Sequence, residues 1–110
     1  MTVTTKTVVE PEIGEESATE KQKLYHIIIL NDEEHTIDYV VEMLQAIVRI
    51  SASAALACTL EADSAGSSIV CTCGLEEAES KRDLIHAYGP DWRLPHSRGS
   101  VTALVEPAAE

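Results

Sequence analysis

The chain has 110 residues, of which 45% are apolar, and its 19 acidic and 8 basic side chains give a formal net charge of −11. This length allows one small domain. Three Tyr, one Trp and no Phe predict a modest aliphatic core. The acidic balance argues against unaided binding to nucleic acid or an anionic membrane, because phosphates repel such a surface. It favours cationic partners, including the ammonium group of a peptide.

The expected compartment is the cytoplasm. No apolar run approaches the roughly 20 residues of a membrane helix. The acidic N-terminus has neither a signal h-region nor the composition of a transit peptide. The three cysteines, an odd number, suit a reducing environment better than a disulfide scaffold.

The first predicted elements follow an N-terminal tail. Residues 1–23 have no lasting period and are predicted to be a flexible acidic tail, with a core domain at 24–108. Residues 23–30 are β-branched and apolar, which predicts a strand. From 36 to 49 the apolar residues recur at spacings of three and four, so we expect an amphipathic helix capped by His35 or Thr36.

The second half of the chain completes the domain. A helix is predicted at 51–64, stopped by Gly66, and a strand at 67–73. A third helix is expected at 75–88 and a last strand at 101–105. The order β-α-α-β-α-β predicts a two-layer α+β domain, with three helices on one face of a three-stranded antiparallel sheet.

One face of the second helix carries an unusual pattern. Leu56, Thr59, Leu60 and Asp63 recur at i, i+3, i+4 and i+7, and we predict that they share an apolar stripe. Packing alone does not explain a threonine and an aspartate on such a stripe.

Metal and hydrolytic chemistry are poorly supported. Cys71 and Cys73 share a strand face, but no C-x-x-C or H-x-x-x-H spacing accompanies them. The chain has no G-x-S-x-G elbow and no phosphate-binding glycine loop. Asp32, Glu33 and Asp63 could form paired carboxylates for acid–base work. A metal-dependent or hydrolytic domain is therefore the rival class. We predict a protein that is not an enzyme and needs no metal or cofactor.

The residues that remain suggest a site for a peptide ammonium group. Asn31 and Asp32 follow a buried strand and offer an amide and a carboxylate. Asp63 could point toward the same place from the second helix. The predicted apolar walls are Ile37, Val40, Thr59 and Val101.

Two segments resemble the ClpS adaptors of bacterial AAA+ Clp proteases. One is the stretch YHIIILNDEEHTIDYVVEMLQ at 25–45, and the other is LEEAESK at 75–81. The similarity covers most of residues 24–108, with a loop at 89–100 about five residues longer than is usual in the family. The resemblance implies an adaptor that holds substrates by a bulky apolar first residue. It also implies delivery to the N-terminal domain of a ClpA- or ClpC-type unfoldase.

The resemblance also assigns roles to individual residues. Asn31 and Asp32 match the family residues that grip the α-ammonium and first peptide group, Glu33 matches a third acidic position, and Asp63 stands where the family has histidine. The third helix would dock on the unfoldase; the residues implicated there are Glu76, Glu79 and Lys81. Nothing in the resemblance demands more than a monomer.

Departures from the family concentrate at the pocket. Ile37 replaces a gating methionine, Thr59 replaces a second methionine and adds a hydroxyl to the wall, and His35-Thr36 replaces Thr-Pro. We predict a shifted first-residue preference that admits β-branched side chains. Because Asp63 and Asp32 would repel each other, a proton or a cation is expected between them. The alternative is a docking or inhibitory protein that has lost substrate capture.

Each residue also has a purely structural interpretation. Asn31-Asp32 could be only a turn and cap, and the acids of the third helix with Lys81 could be only a solvated face. His35 is interpreted as a solvated neighbour of the helix cap. Trp92 is interpreted as a local packing anchor of the 89–100 loop.

Overall fold

The computed structural model describes residues 23–108. The predicted tail at 1–23 therefore lies outside the described residues, except for Lys23. The elements, in chain order, are β1 (Tyr25–Leu30), α1 (Ile37–Met43) continued by a π-helical segment (Leu44–Val48), α2 (Ala52–Ala65), β2 (Ser67–Cys73), α3 (Leu75–His86) and β3 (Ala103–Pro107). None of the described helices is long and apolar enough to cross a membrane.

The sheet is antiparallel with β1 at its centre, in the order β2-β1-β3. Ile28 of β1 lies opposite Ile69 on one side and Leu104 on the other. The register with β2 shifts between Ile27 and Ile28, which leaves Val70 as the extra residue of a bulge. The predicted fold class, a three-stranded antiparallel sheet with three helices, is confirmed.

The core lies between the helices and one face of the sheet. Alternation along β1 buries Ile27 and Ile29 almost completely, while their neighbours face outward. Met43, Leu44 and Ile85 from the helices are also fully buried. The core is aliphatic apart from Tyr39, as the composition predicts.

The first helix follows the predicted boundaries closely. Thr36 is the N-cap, because its hydroxyl accepts the Tyr39 N–H at 3.1 Å. The last turns widen, and the Arg49 N–H reaches back to the Leu44 carbonyl at 3.0 Å. Lys81 of α3 donates to the Ile47 carbonyl at 3.3 Å, which satisfies one of the orphan groups at this helix end.

The predicted apolar stripe on α2 is wrong by one position. The residues that face the core are Ala55, Thr59 and Ala62. Leu56 and Leu60 are 43% and 46% exposed. The side chains of α2 that meet the core are therefore small, and its two leucines lie on exposed positions.

Two element boundaries also differ from the sequence prediction. The helix α3 ends at His86 rather than at residue 88. The last strand begins at Ala103, two residues later than predicted, and includes Pro107. Pro107 is tolerated because β3 is an edge strand, where a missing N–H breaks no ladder inside the sheet.

The cysteines are free thiols in the described part of the chain. The Sγ atoms of Cys71 and Cys73 lie 3.8 Å apart on the strand face next to the core. Burial and the neighbouring Cys71 thiol raise the pKa of Cys73 to about 11. The Cys73 thiol therefore stays protonated near neutral pH and behaves as a packing residue.

Candidate functional site

A pocket opens between the end of β1, the turn that follows it, the start of α1 and the second half of α2. The pocket is open to solvent, and the empty space between its lining residues is about 390 Å³ when the solvent at its mouth is included. Its lining residues are Ile29, Leu30, Asn31, Asp32, His35, Thr36, Ile37, Val40, Thr59, Ala62, Asp63 and Val101. Aliphatic lining residues together with a few polar groups are typical of a pocket that binds a small ligand.

Most of the predicted site residues lie together at this pocket. Those that line it are Asn31, Asp32, Asp63 and the four predicted walls Ile37, Val40, Thr59 and Val101. Glu33 lies on the same turn but does not line the pocket. Its carbonyl instead accepts a hydrogen bond from Nε2 of His96 at 2.9 Å.

Backbone hydrogen bonds fix the turn that forms the rim. The Leu30 N–H donates to the Thr102 carbonyl at 3.0 Å, and the Asn31 N–H donates to the Gly66 carbonyl at 2.9 Å. The Asp32 carboxylate accepts the Glu34 N–H at 2.9 Å, which is an Asx turn. Asn31 and Asp32 are therefore a structural turn and rim residues of the pocket at the same time.

His35 is the pocket residue that the sequence interpretation missed. Its side chain is only 3% exposed, so its interpretation as a solvated neighbour of the cap is wrong. Nδ1 lies 2.8 Å from the Asp32 carboxylate, and Nε2 lies 2.6 Å from the Gly99 carbonyl. His35 therefore links the rim of the pocket to the 89–100 loop. When the imidazole ring is charged, His35 and Asp32 form an ion pair.

Asp91 fixes the same loop against the start of α1. This carboxylate is 1% exposed and accepts the Thr36 N–H and the Thr36 hydroxyl, both at 2.7 Å. The Arg93 N–H and guanidinium donate to its other oxygen at 3.0 and 3.2 Å. Burial alone would raise the pKa of Asp91, but these hydrogen bonds outweigh it and lower the pKa to about 2.

Trp92 does not anchor this loop, so its interpretation as a local packing anchor is wrong. Its side chain is 82% exposed, with the Arg93 guanidinium 4.7 Å from the ring centroid. The anchor is Asp91. The sequence gives no sign of this role, because an aspartate after Gly-Pro is typical of a solvated turn. None of residues 89–100 lines the pocket, so the loop supports the rim without covering the opening.

The hydroxyl of the wall residue Thr59 already has a hydrogen-bond partner. Thr59 Oγ1 donates to the Ala55 carbonyl one turn earlier in α2, at 2.7 Å. The hydrogen of this hydroxyl is therefore used within the helix and is not available to a ligand, and the prediction that Thr59 adds a hydroxyl to the pocket wall stays a prediction. A threonine here leaves room that a longer side chain would fill.

The predicted docking residues lie on α3, away from the pocket. Glu76 and Glu79 are exposed. Lys81 is half-buried, and its ammonium lies near the Glu77 carboxylate at 3.7 Å as well as on the Ile47 carbonyl. Lys81 therefore has an internal role in holding α3 to the end of the first helix, whatever else it contacts.

The described residues thus form a small two-layer α+β domain with a pocket lined by aliphatic and acidic side chains. Residues 20–93 match the family described as "ATP-dependent Clp protease adaptor protein ClpS", and the chain belongs to this family. ClpS is an adaptor family, not a family of enzymes.

Two relatives agree with this assignment. An ATP-dependent Clp protease adapter protein ClpS of Nautilia profundicola is 34% identical over 82 residues, which are 74% of this chain and 80% of the relative. The structure of Agrobacterium tumefaciens ClpS2 bound to L-phenylalaninamide matches with a TM-score of 0.65 and 26% identity. That match covers 80% of this chain and all of the other.

Proposed function

We propose that this adaptor binds the N-terminal residue of substrate proteins in the pocket between the β1–α1 turn and α2. It then delivers them to a Clp AAA+ unfoldase. The observation that supports the proposal is the pocket itself, whose lining includes Asn31, Asp32 and Asp63 together with aliphatic side chains. A free N-terminus presents an α-ammonium next to a side chain, and the pocket offers acceptors next to an apolar cavity.

The walls support a shifted choice of first residue. Ile37 is 43% exposed at the pocket and, being β-branched, cannot change shape as a methionine can. Thr59 presents a short side chain whose hydroxyl is already bonded to Ala55. We propose that the pocket takes bulky apolar first residues and also admits β-branched Ile and Val.

The ammonium end of the substrate would meet the rim. Asn31 and Asp32 belong to an exposed turn, so their polar atoms can be reached without unfolding any element. Asp63 lines the same pocket from α2. A hydrogen bond to a charged group contributes about 1.5–3 kcal/mol, which is as much as burial of the apolar first side chain contributes. A free α-amine is therefore a requirement of the same size as the first side chain.

The proposed partner is the N-terminal domain of a ClpA- or ClpC-type unfoldase. The exposed acids Glu76 and Glu79 in the first turns of α3 offer it a negatively charged surface. We further propose that the protein works as a monomer in the cytoplasm.

Fluorescence anisotropy with peptides that differ only in their first residue tests the proposal. We expect peptides starting with Phe, Leu, Ile and Val to bind about tenfold or more tightly than a peptide starting with Ser, because burying a large apolar side chain contributes about 1.5–3 kcal/mol. The matched control is the same Phe peptide with its α-amine acetylated, which should not bind.

Two other outcomes would change the proposal in different ways. If Ile and Val peptides bind no better than the Ser peptide while Phe and Leu peptides bind, capture stands and the β-branched preference is wrong. If no peptide binds but the unfoldase N-terminal domain is retained on an affinity resin, the protein is a docking or inhibitory adaptor without substrate capture.

A further inference from the structure

The contacts of His35 define the charge of the pocket rim. Both ring nitrogens face acceptors, Nδ1 the Asp32 carboxylate at 2.8 Å and Nε2 the Gly99 carbonyl at 2.6 Å. Only the imidazolium has an N–H on both nitrogens, since a neutral ring would direct one lone pair at an oxygen. The side chain is 3% exposed, which leaves little room for water to take either place.

An imidazolium at position 35 compensates the negative charge of Asp32. The pair formed by the two side chains is formally neutral, and the Asp32 carboxylate also accepts the Glu34 N–H. Asp63 lines the pocket from α2, and none of the ion pairs within residues 23–108 involves it. Asp63 is thus the pocket carboxylate whose charge is not already balanced.

The other groups around His35 do not alter this balance. Tyr39 of α1 faces the ring, with centroids 4.6 Å apart, and its hydroxyl donates to the Gly89 carbonyl. Asp91 of the loop reaches Thr36 rather than His35, and its charge is met by Arg93. The charges that face the pocket are therefore those of Asp32, His35 and Asp63.

We propose that Asp63 supplies the negative charge that holds the substrate's α-ammonium, while His35 neutralises Asp32 and is a positioning residue of the rim. This inference rests on the proposed function. It assigns the two carboxylates different tasks: Asp63 balances charge, and Asp32 accepts a hydrogen bond as part of a neutral pair.

A double-mutant cycle between Asp63 and His35 tests the assignment. The variants are D63N, H35Q and the double variant, each titrated at pH 6.0 with a fluorescent Phe-initiated peptide whose amine is fully protonated. We expect D63N to weaken binding by about tenfold or more, the size of a lost hydrogen bond to a charged group. Glutamine keeps polar contacts at position 35 but removes the cation.

In the H35Q variant Asp32 has no cationic partner, so its carboxylate can bind the ammonium group of the peptide in place of Asp63. H35Q alone should increase peptide affinity severalfold. Adding D63N to H35Q should then lower peptide affinity by about threefold or less, because a second carboxylate is available. Equal losses from D63N in both backgrounds, within about twofold, would overturn the inference. The matched control is D83N, which removes the same charge from the exposed surface of α3 and should leave peptide affinity unchanged.

The unmodified protein offers a second test that does not depend on how the variants fold. At pH 6.0, ¹⁵N NMR of the free protein should show two protonated ring nitrogens for His35. A single neutral tautomer would contradict the assignment. Failure of the wild type to bind any free-amine peptide would instead remove the proposed function and this inference with it. Normal peptide binding with an uncoupled cycle would remove only the inference.

Discussion

Replacing Asp91 by alanine is expected to lower the free energy of unfolding by about 3 kcal/mol, the cost of breaking a buried, multiply hydrogen-bonded charge. The variant leaves the Thr36 N–H and hydroxyl without their acceptor and the Arg93 guanidinium with only Glu42. It also removes a negative charge from the positive end of α1. For a domain of this size the thermal midpoint should fall by more than about 10 °C.

Thermal and urea denaturation followed by circular dichroism measure this effect. The matched control is Asp83→Ala, an exposed aspartate on α3 that should cost less than about 0.5 kcal/mol. If Asp91→Ala is as mild as the control, the hydrogen bonds around Asp91 contribute little and the loop is held by other contacts.

The same carboxylate makes stability depend on pH in a defined direction. Its folded-state pKa of about 2 lies below the ordinary value of 3.8. The stabilisation from Asp91 is therefore fully present above about pH 4 and is lost as the pH falls toward 2. Asp91→Ala should flatten this acid limb relative to the wild type. An acid limb that is unchanged in the variant would show that other carboxylates cause it.

Reversing the charge of Glu76 and Glu79 to lysine is expected to weaken binding of the unfoldase N-terminal domain by more than about tenfold, as for opposed charges at an interface. Both side chains are exposed, so the fold should be preserved. Surface plasmon resonance against an immobilised ClpA- or ClpC-type N-terminal domain measures the loss. Peptide binding should be unchanged, since neither residue lines the pocket.

A variant with the same change in net charge separates the surface from the overall charge. Asp38→Lys with Glu106→Lys alters two exposed acids outside α3 and should leave most of the unfoldase affinity intact. Equal losses in both double variants would mean that the partner responds to net charge and not to the α3 surface.

The order of elements was predictable because the local signals are strong. Thr36, Ser51 and Gly66 mark helix ends where the sequence places caps. The β-branched run in the middle of β1 alternates in burial, as expected for a half-buried strand. Each of these signals depends on only a few neighbouring residues, so it can be recognised without knowledge of the tertiary structure.

The parts that were missed depend on contacts distant in sequence. His35 is buried by the Gly99 carbonyl, 64 residues away, and Asp91 by Thr36, 55 residues away. The face of α2 was misassigned because small residues, not leucines, meet the core. A local pattern cannot tell a polar side chain in a turn from one that a later loop covers.

The most direct test of the account is a pair of NMR titrations with one Phe-initiated peptide, once with a free and once with an acetylated α-amine. With the free amine we expect amide shift changes concentrated at Asn31, Asp32, Asp63 and Val101. We expect none of comparable size with the acetylated peptide. Changes of equal size in both titrations, or changes confined to another surface, would contradict the claim that this pocket binds substrate N-termini.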